Sequence, residues 1–143
     1  MIVLVQATVL TVGLDGKNEI LRELPIQLVT MRSGTEAARS LKNENVNSVI
    51  SKWDLVDMKD GRFLKKLRAV KPGIPTIAFI RPGNQAQEIA ARGIGVSAVL
   101  TDETSDELFR ETVANVLGLR DAASIKEISP TKKSRYVKEK ITR

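Results

Sequence analysis

Residues 49–61 hold the densest group of chemically capable side chains in the chain. Lys52, Trp53, Asp54, Asp57 and Asp60 follow the apolar pair Val49-Ile50, and the stretch ends on Gly61. Carboxylates at such a place hold divalent cations, and an ammonium among them repels those cations. A run that starts apolar, turns polar and passes into an amphipathic segment reads as a buried strand delivering its carboxyl end to a site. In open α/β sheets, ligands sit at those strand ends. A second stretch, Gly13-Leu14-Asp15-Gly16-Lys17, has the outline of a phosphate-binding loop. Its spacing is two residues short and no Ser/Thr follows the lysine, so it reads as a plain strand-to-helix turn.

The chemistry is bounded by what is missing. Histidine and cysteine are both absent. That excludes phosphohistidine steps, thiolate chemistry and disulfides, and removes the commonest general base and metal ligand. A chain of 143 residues with 42% hydrophobic and 28% charged residues reads as one globular domain. No apolar run reaches the roughly 20 residues that span a bilayer, so no membrane partner is expected. The start Met1-Ile2-Val3-Leu4-Val5 has no basic leader, and a cytoplasmic protein is expected. The net charge of +6 is concentrated at one end: residues 124–143 carry seven Lys/Arg and two Glu, leaving +1 for residues 1–123.

The elements that must position these groups follow from periodicity and punctuation. Residues 2–7 and 9–12 are both β-branched and apolar, and either can be the first strand. A short helix carrying Ile20, Leu21 and Leu24 leads to Pro25 and a second strand over 26–30. Ser33-Gly34-Thr35-Glu36 has the form of a capping box opening the next helix. The third strand covers 48–53. Asp60 is placed to cap a helix carrying Phe63, Leu64, Leu67 and Val70, which stops at Pro72-Gly73. Residues 75–80 form a strand apolar enough to be covered on both faces, followed by a helix over 86–92 and a fifth strand over 97–100. Thr104-Ser105-Asp106-Glu107 repeats the capping-box pattern ahead of a helix expected to bury Leu108, Phe109, Thr112, Val113, Val116 and Leu117. Strands alternating with helices imply a parallel sheet with right-handed crossovers. The expected fold is α/β: a three-layer, doubly wound, five-stranded parallel sheet of the flavodoxin-like (βα)5 kind over residues 1–119. Residues 120–143 are expected to be a basic, flexible tail.

From about Ile26 to Leu117 the residues carry a resemblance. Val49-Ile50-Ser51-Lys52-Trp53, Met58 and Gly61 are similar to the central stretch of chemotaxis receivers. Ser33-Gly34-Thr35-Glu36-Ala37-Ala38, Ile74-Pro75 and Gly95-Val96-Ser97-Ala98-Val99-Leu100-Thr101 fit in the same order. The chain resembles the receiver domain of two-component response regulators. That resemblance implies two acids after the first strand, a phosphoacceptor aspartate ending the third, a Thr/Ser ending the fourth and a lysine ending the fifth. Together they hold Mg²⁺ and a phosphoryl group.

Carried over position by position, the pattern is broken. The acceptor position falls on Lys52 when Trp53 is aligned, or on Trp53 when counted back from Gly61, because Lys59 reads as a one-residue insertion. The Thr/Ser position is Ile80, the lysine position Asp102, and the position of the switch aromatic Val99. The acid pair falls on Gln6/Ala7/Thr8 or on Gly13/Leu14/Asp15, so Asp15 is an acid remnant at best. An ammonium at the acceptor position cannot form an acylphosphate and repels Mg²⁺, so no metal and no cofactor are expected. Lys52 and Asp102, with signs exchanged relative to the family, are expected to pair across the pocket. Asp54 and Asp57 read as loop acids capping the next helix, or as alternative acceptors or metal ligands, with Asp57 beside Asp15 as the other possible acid remnant. Trp53 reads as a packing residue.

Three functions follow from these assignments. The first is a non-catalytic pseudo-receiver in phosphorelay-type signalling, acting through protein contacts or self-association. Its contact face would be residues 86–92, Val99 and 105–117. The second is a divergent receiver phosphorylated on Asp54 or Asp57. The third is a nucleic-acid-associated regulator whose basic tail meets an acidic partner or phosphates.

Overall fold

Five parallel strands with helices on both faces make up the computed structural model, which describes residues 7–118. In chain order the elements are β1 (Ala7–Val12), a 3₁₀ turn (Asp15–Lys17), α1 (Asn18–Leu21), β2 (Ile26–Met31), α2 (Gly34–Asn43), β3 (Ser48–Lys52), α3 (Arg62–Val70), β4 (Thr76–Ile80), α4 (Gln85–Gly93), β5 (Ala98–Thr101) and α5 (Asp106–Leu117). The strand order is β2-β1-β3-β4-β5. This is the doubly wound flavodoxin-like arrangement, in which the order reverses between β1 and β3 and opens a crevice at their carboxyl ends.

Of the two runs competing for the first strand, the second forms it, extended back to Ala7. Its register runs Ala7 with Ile26 through Val12 with Met31 on one side, and Val9 with Ser48 through Val12 with Ser51 on the other. Residues 2–6, with Gln6 of the alternative acid position, lie outside the described residues, as does the tail over 120–143.

Two apolar cores flank the sheet. On one face Leu10, Val12, Val49 and Ala78 pack against Ala37 and Leu41 of α2, Phe63, Leu64 and Leu67 of α3, and Ala91 of α4. On the other, Val9, Ile50, Ile77, Phe79 and Leu100 meet Leu21 of α1 and Phe109 and Val113 of α5. Phe109 is fully buried, its ring 6.1 Å from that of Phe79. Burying such a side chain contributes about 2–3 kcal/mol, and with the equally buried Val113 it holds α5 to the sheet.

Several helix starts differ in detail from the sequence expectation. Ser33 caps α2 as expected, accepting from the Glu36 amide at 3.1 Å, but Glu36 reaches back to the Arg32 amide rather than to Ser33. The cap of α5 is Ser105, accepting from the Leu108 amide at 3.2 Å, so no Glu stands at the position that would close a box. Thr104 instead accepts from the Thr101 amide. Asp60 does not cap α3. Gly61 occupies the cap position in a left-handed conformation (φ 72°), with no side-chain bond to the helix. Leu108 is 51% exposed rather than buried, because Phe109 and Val113 take the inward stripe.

Thr76 opens β4 fully buried, and its Oγ1 meets no protein hydrogen-bond partner. A buried hydroxyl without a partner carries its desolvation penalty uncompensated. Thr76→Val, which keeps shape and β-branching, is expected to stabilise the domain by about 1 kcal/mol. A denaturant titration of the two proteins checks this.

Candidate functional site

The fully buried residues 48–51 of β3 lie between β1 and β4 and carry the strand to its exposed last residue, Lys52. Lys52 lies beside Gly13, the first residue after β1. A Cβ at position 13 would come within 2.9 Å of Leu55 Cδ2, with the Lys52 stem at van der Waals distance (3.6 Å), and φ there is +74°. The left-handed backbone therefore favours glycine at this position. Leu14 is buried in the α1/α5 core, and Asp15 is exposed in a left-handed turn (φ 49°). The acid pair is thus reduced to one solvated carboxylate.

Beyond these residues a cleft of about 630 Å³ opens between the β1–α1 turn, the ends of β3 and β5, and α5. Lys52, Asp102 and Asp15 line it together, with Phe79 as the contribution of β4. The cleft is of mixed charge: Lys17 and Arg110 add cations, and Glu19, Glu23 and Asp106 add anions. Arg110 bridges to Glu23 at 3.5 Å, tying α5 to the end of the α1 segment. Lys52 and Asp102 share the cleft without forming an ion pair within 4.0 Å, contrary to the sequence expectation. The Lys52 stem lies across Gly13, while at Asp102 it is the backbone carbonyl that is engaged, accepting from Lys17 Nζ at 3.4 Å. Among the described residues no group of three acidic side chains is placed to hold a metal ion. The Mg²⁺ that the family resemblance implies does not fit these residues, because Lys52 brings an ammonium into a cleft where no three acids are gathered.

The remaining pocket residues are turned to structural use. Trp53 is only 4% exposed and packs beneath Gly61, where any Cβ would overlap its ring. The two backbones also pair, Gly61 N donating to Trp53 O at 2.9 Å. Lys65 Nζ lies 5.8 Å from the Trp53 ring centre, a cation–π distance that closes the outer side. Ile80 is buried in the core beneath α2, α3 and α4, away from the cleft.

Asp54 accepts from the Asp60 amide at 2.8 Å and from Gln87 Nε2 of α4 at 3.0 Å, one hydrogen bond on each oxygen. Asp57 accepts three, from the Gly34 amide at 2.8 Å, the Thr35 amide at 2.9 Å and the Thr35 hydroxyl at 2.7 Å. It thus caps the helix that precedes it in sequence rather than the one that follows. The Thr35 hydroxyl first, then the Gly34 and Thr35 amides, hold its carboxyl down to about 2 from an ordinary value of 3.8. Sequence reasoning missed this role because the partners lie over twenty residues upstream. The sequence carries no signal for it, because Ser33 already supplies the expected cap and the remaining backbone amides have no side-chain signature.

Two outcomes follow. Gly61→Ala is expected to destabilise by at least about 2 kcal/mol and to red-shift Trp53 fluorescence, since both φ and the ring forbid a methyl group. A normal midpoint and emission spectrum would contradict the packing. Asp57→Ala is expected to lower the denaturation midpoint at neutral pH. A depressed pKa places this carboxylate's contribution above pH 3.8 and removes it as pH falls through about 2. The gap between variant and wild type should therefore close over that window.

No protein-family model matches the chain. A chemotaxis protein CheY homolog of Campylobacter jejuni (strain 81-176) is 30% identical over 105 residues, covering 71% of this chain and 81% of that protein. The signal receiver domain of an HD domain-containing protein from Pseudomonas fluorescens Pf-5 superposes with TM-score 0.71 at 21% identity, covering 78% of this chain and 94% of that one. The receiver domain of sensor histidine kinase PA1611 from Pseudomonas aeruginosa PAO1, which holds a magnesium ion in its active site cleft, gives 0.68 at 17% identity, covering 78% and 98%. Strand order, the Trp53–Gly61 loop and the C. jejuni relative agree: the chain belongs to the CheY-like response regulator receiver family and is a signal-transduction domain.

Proposed function

We propose that this receiver has lost phosphoryl chemistry and signals by occupancy of its surfaces, as a non-catalytic pseudo-receiver. The observation that carries this reading is Lys52. Its ammonium stands at the end of β3, and its stem lies against Gly13, where a metal-binding acid would have to be. Asp102, at the end of β5, supplies a negative charge where the family uses a positive one. Phosphoryl binding there would be repelled rather than neutralised.

The alternative acceptors are poorly suited. Asp54 and Asp57 do not line the cleft, and their oxygens accept hydrogen bonds from Asp60, Gln87, Gly34 and Thr35 instead. The contact surface expected from the family remains open for a partner. Ile89 of α4 is 71% exposed and Leu108 of α5 51% exposed, the two large apolar side chains displayed by those helices. Isolated exposed apolar residues are ordinary, but two on the face expected to dock a partner support its use. Binding of polyanions by the basic residues over 124–143 is a separate reading resting on charge alone.

Trp53 makes the test direct, because it adjoins both Lys52 and Asp54 in sequence. Titration with Mg²⁺ and then beryllofluoride is expected to leave its fluorescence unchanged, and acetyl phosphate is expected to add no mass. A saturable fluorescence change, or a gain of one phosphoryl group, would overturn the proposal and send mutagenesis to Asp54 and Asp57.

A further inference from the structure

A second surface lies away from both the cleft and the α4–α5 face. Between α2 and α3 runs a groove of about 200 Å³ whose floor is formed by Leu41, Met58, Phe63, Leu67 and Val70. Val70 is 66% exposed there. Lys42, Lys66 and Lys71 stand along its rim, and none of them makes an ion pair among the described residues. The cationic surface continues along α3: Lys59, Arg62 and Lys65 join Lys66 around an adjoining depression.

This charge is local. Residues 59–71 contain six Lys/Arg and one Asp, while residues 1–123 as a whole are at +1, so the rest of that stretch is net acidic. Arg68 is the exception within the helix. It turns inward to bond the Ile94 and Pro72 carbonyls and takes no part in the exposed row.

We infer that the α2–α3 groove docks an acidic amphipathic helix of a partner protein. The apolar floor takes hydrophobic side chains at helical spacing, and the lysine rim meets the partner's flanking carboxylates. Charge decides among the occupants. Residues 124–143 are themselves strongly basic and would be repelled, and a second copy docked through the same groove would set lysine against lysine. A nucleic-acid backbone would satisfy the lysines but leave the apolar floor unused. The inference does not depend on the state of the phosphorylation cleft, and it is tested without Mg²⁺ or phosphodonor.

The probe is a fluorescein-labelled helical peptide with Leu at i, i+3, i+4 and i+7 and Glu at the flanking positions. Its anisotropy is followed against the full chain. The expected result is saturable binding that weakens at least tenfold for Val70→Asp and for the double variant Lys66→Glu, Lys71→Glu. These positions are at the surface, and unchanged circular dichroism confirms folding. A control peptide with every Leu replaced by Ser keeps the charge without the apolar face, and it is expected not to bind. Equal affinity for the Leu and Ser peptides, full competition by duplex DNA, or no binding of the Leu peptide would each overturn the inference.

Discussion

Everything at the carboxyl edge of this sheet depends on the seating of Trp53 beneath Gly61. β3 ends at Lys52, and the chain must then cross the top of the sheet and enter α3 over only nine residues, 53–61. The indole fills the space under the crossing, and the glycine lets the backbone lie on the ring at a φ of 72°. Leu55 enters the core and its amide reaches the Met58 carbonyl at 2.8 Å, closing the middle of the loop. With the loop fixed, Asp54 and Asp57 point in defined directions, one to α4 and the other to α2. A packing contact has thereby turned two acids into struts.

The same loop shows how acids beside a strand end are drawn into the scaffold. A carboxylate that accepts two or three hydrogen bonds is a strong structural element, because the donors favour its charged form. Asp57 illustrates this. Its three donors satisfy amides at the start of α2 that would otherwise be free, and they draw its pKa down to about 2. Lys52 stands on the other side of the loop, its stem at van der Waals distance from where a Cβ at position 13 would lie.

How much of this was legible in the sequence depended on the range of the interaction. Alternation of strands and helices was plain because β3 and β4 are short apolar runs between clear stops, and because Ser33 and Ser105 are strong caps. The first strand was ambiguous because residues 2–7 and 9–12 have the same β-branched character. The ladder to Ile26–Met31, continued by the Gly13 amide bonding the Met31 carbonyl at 2.9 Å, is a nonlocal choice. The departures from the family pattern at Lys52, Ile80 and Asp102 rest on residue type alone. The Lys52–Asp102 pair could not be judged so, because two flexible side chains on neighbouring strand ends have many ways not to meet. Asp57 capping α2 was invisible for a related reason, as its amide partners carry no side-chain signature. Asp60 misled because its place before a helix suggests a cap, while the tight turn onto Trp53 required glycine at that position instead.

The substitutions in the old pocket also bear on energy. Several carboxylates gathered around a metal site repel one another, and proteins keep such clusters for function against stability. Here Leu14 takes one of those positions and buries in the core with Ile20, Leu21 and Phe109, a gain of about 1.5–3 kcal/mol for a side chain of that size. Removing repulsion and adding burial both favour a single, well-packed state. On the proposed reading, in which no phosphoryl group is attached, such a domain has no covalent energy input with which to change shape. Any shift in its state must come from a ligand that binds one arrangement more tightly than another. The loop over residues 53–61 is where such binding would be felt, since Asp57 anchors it to α2 and Asp54, through Gln87, to α4. A partner pressing on either helix would pull on the same nine residues.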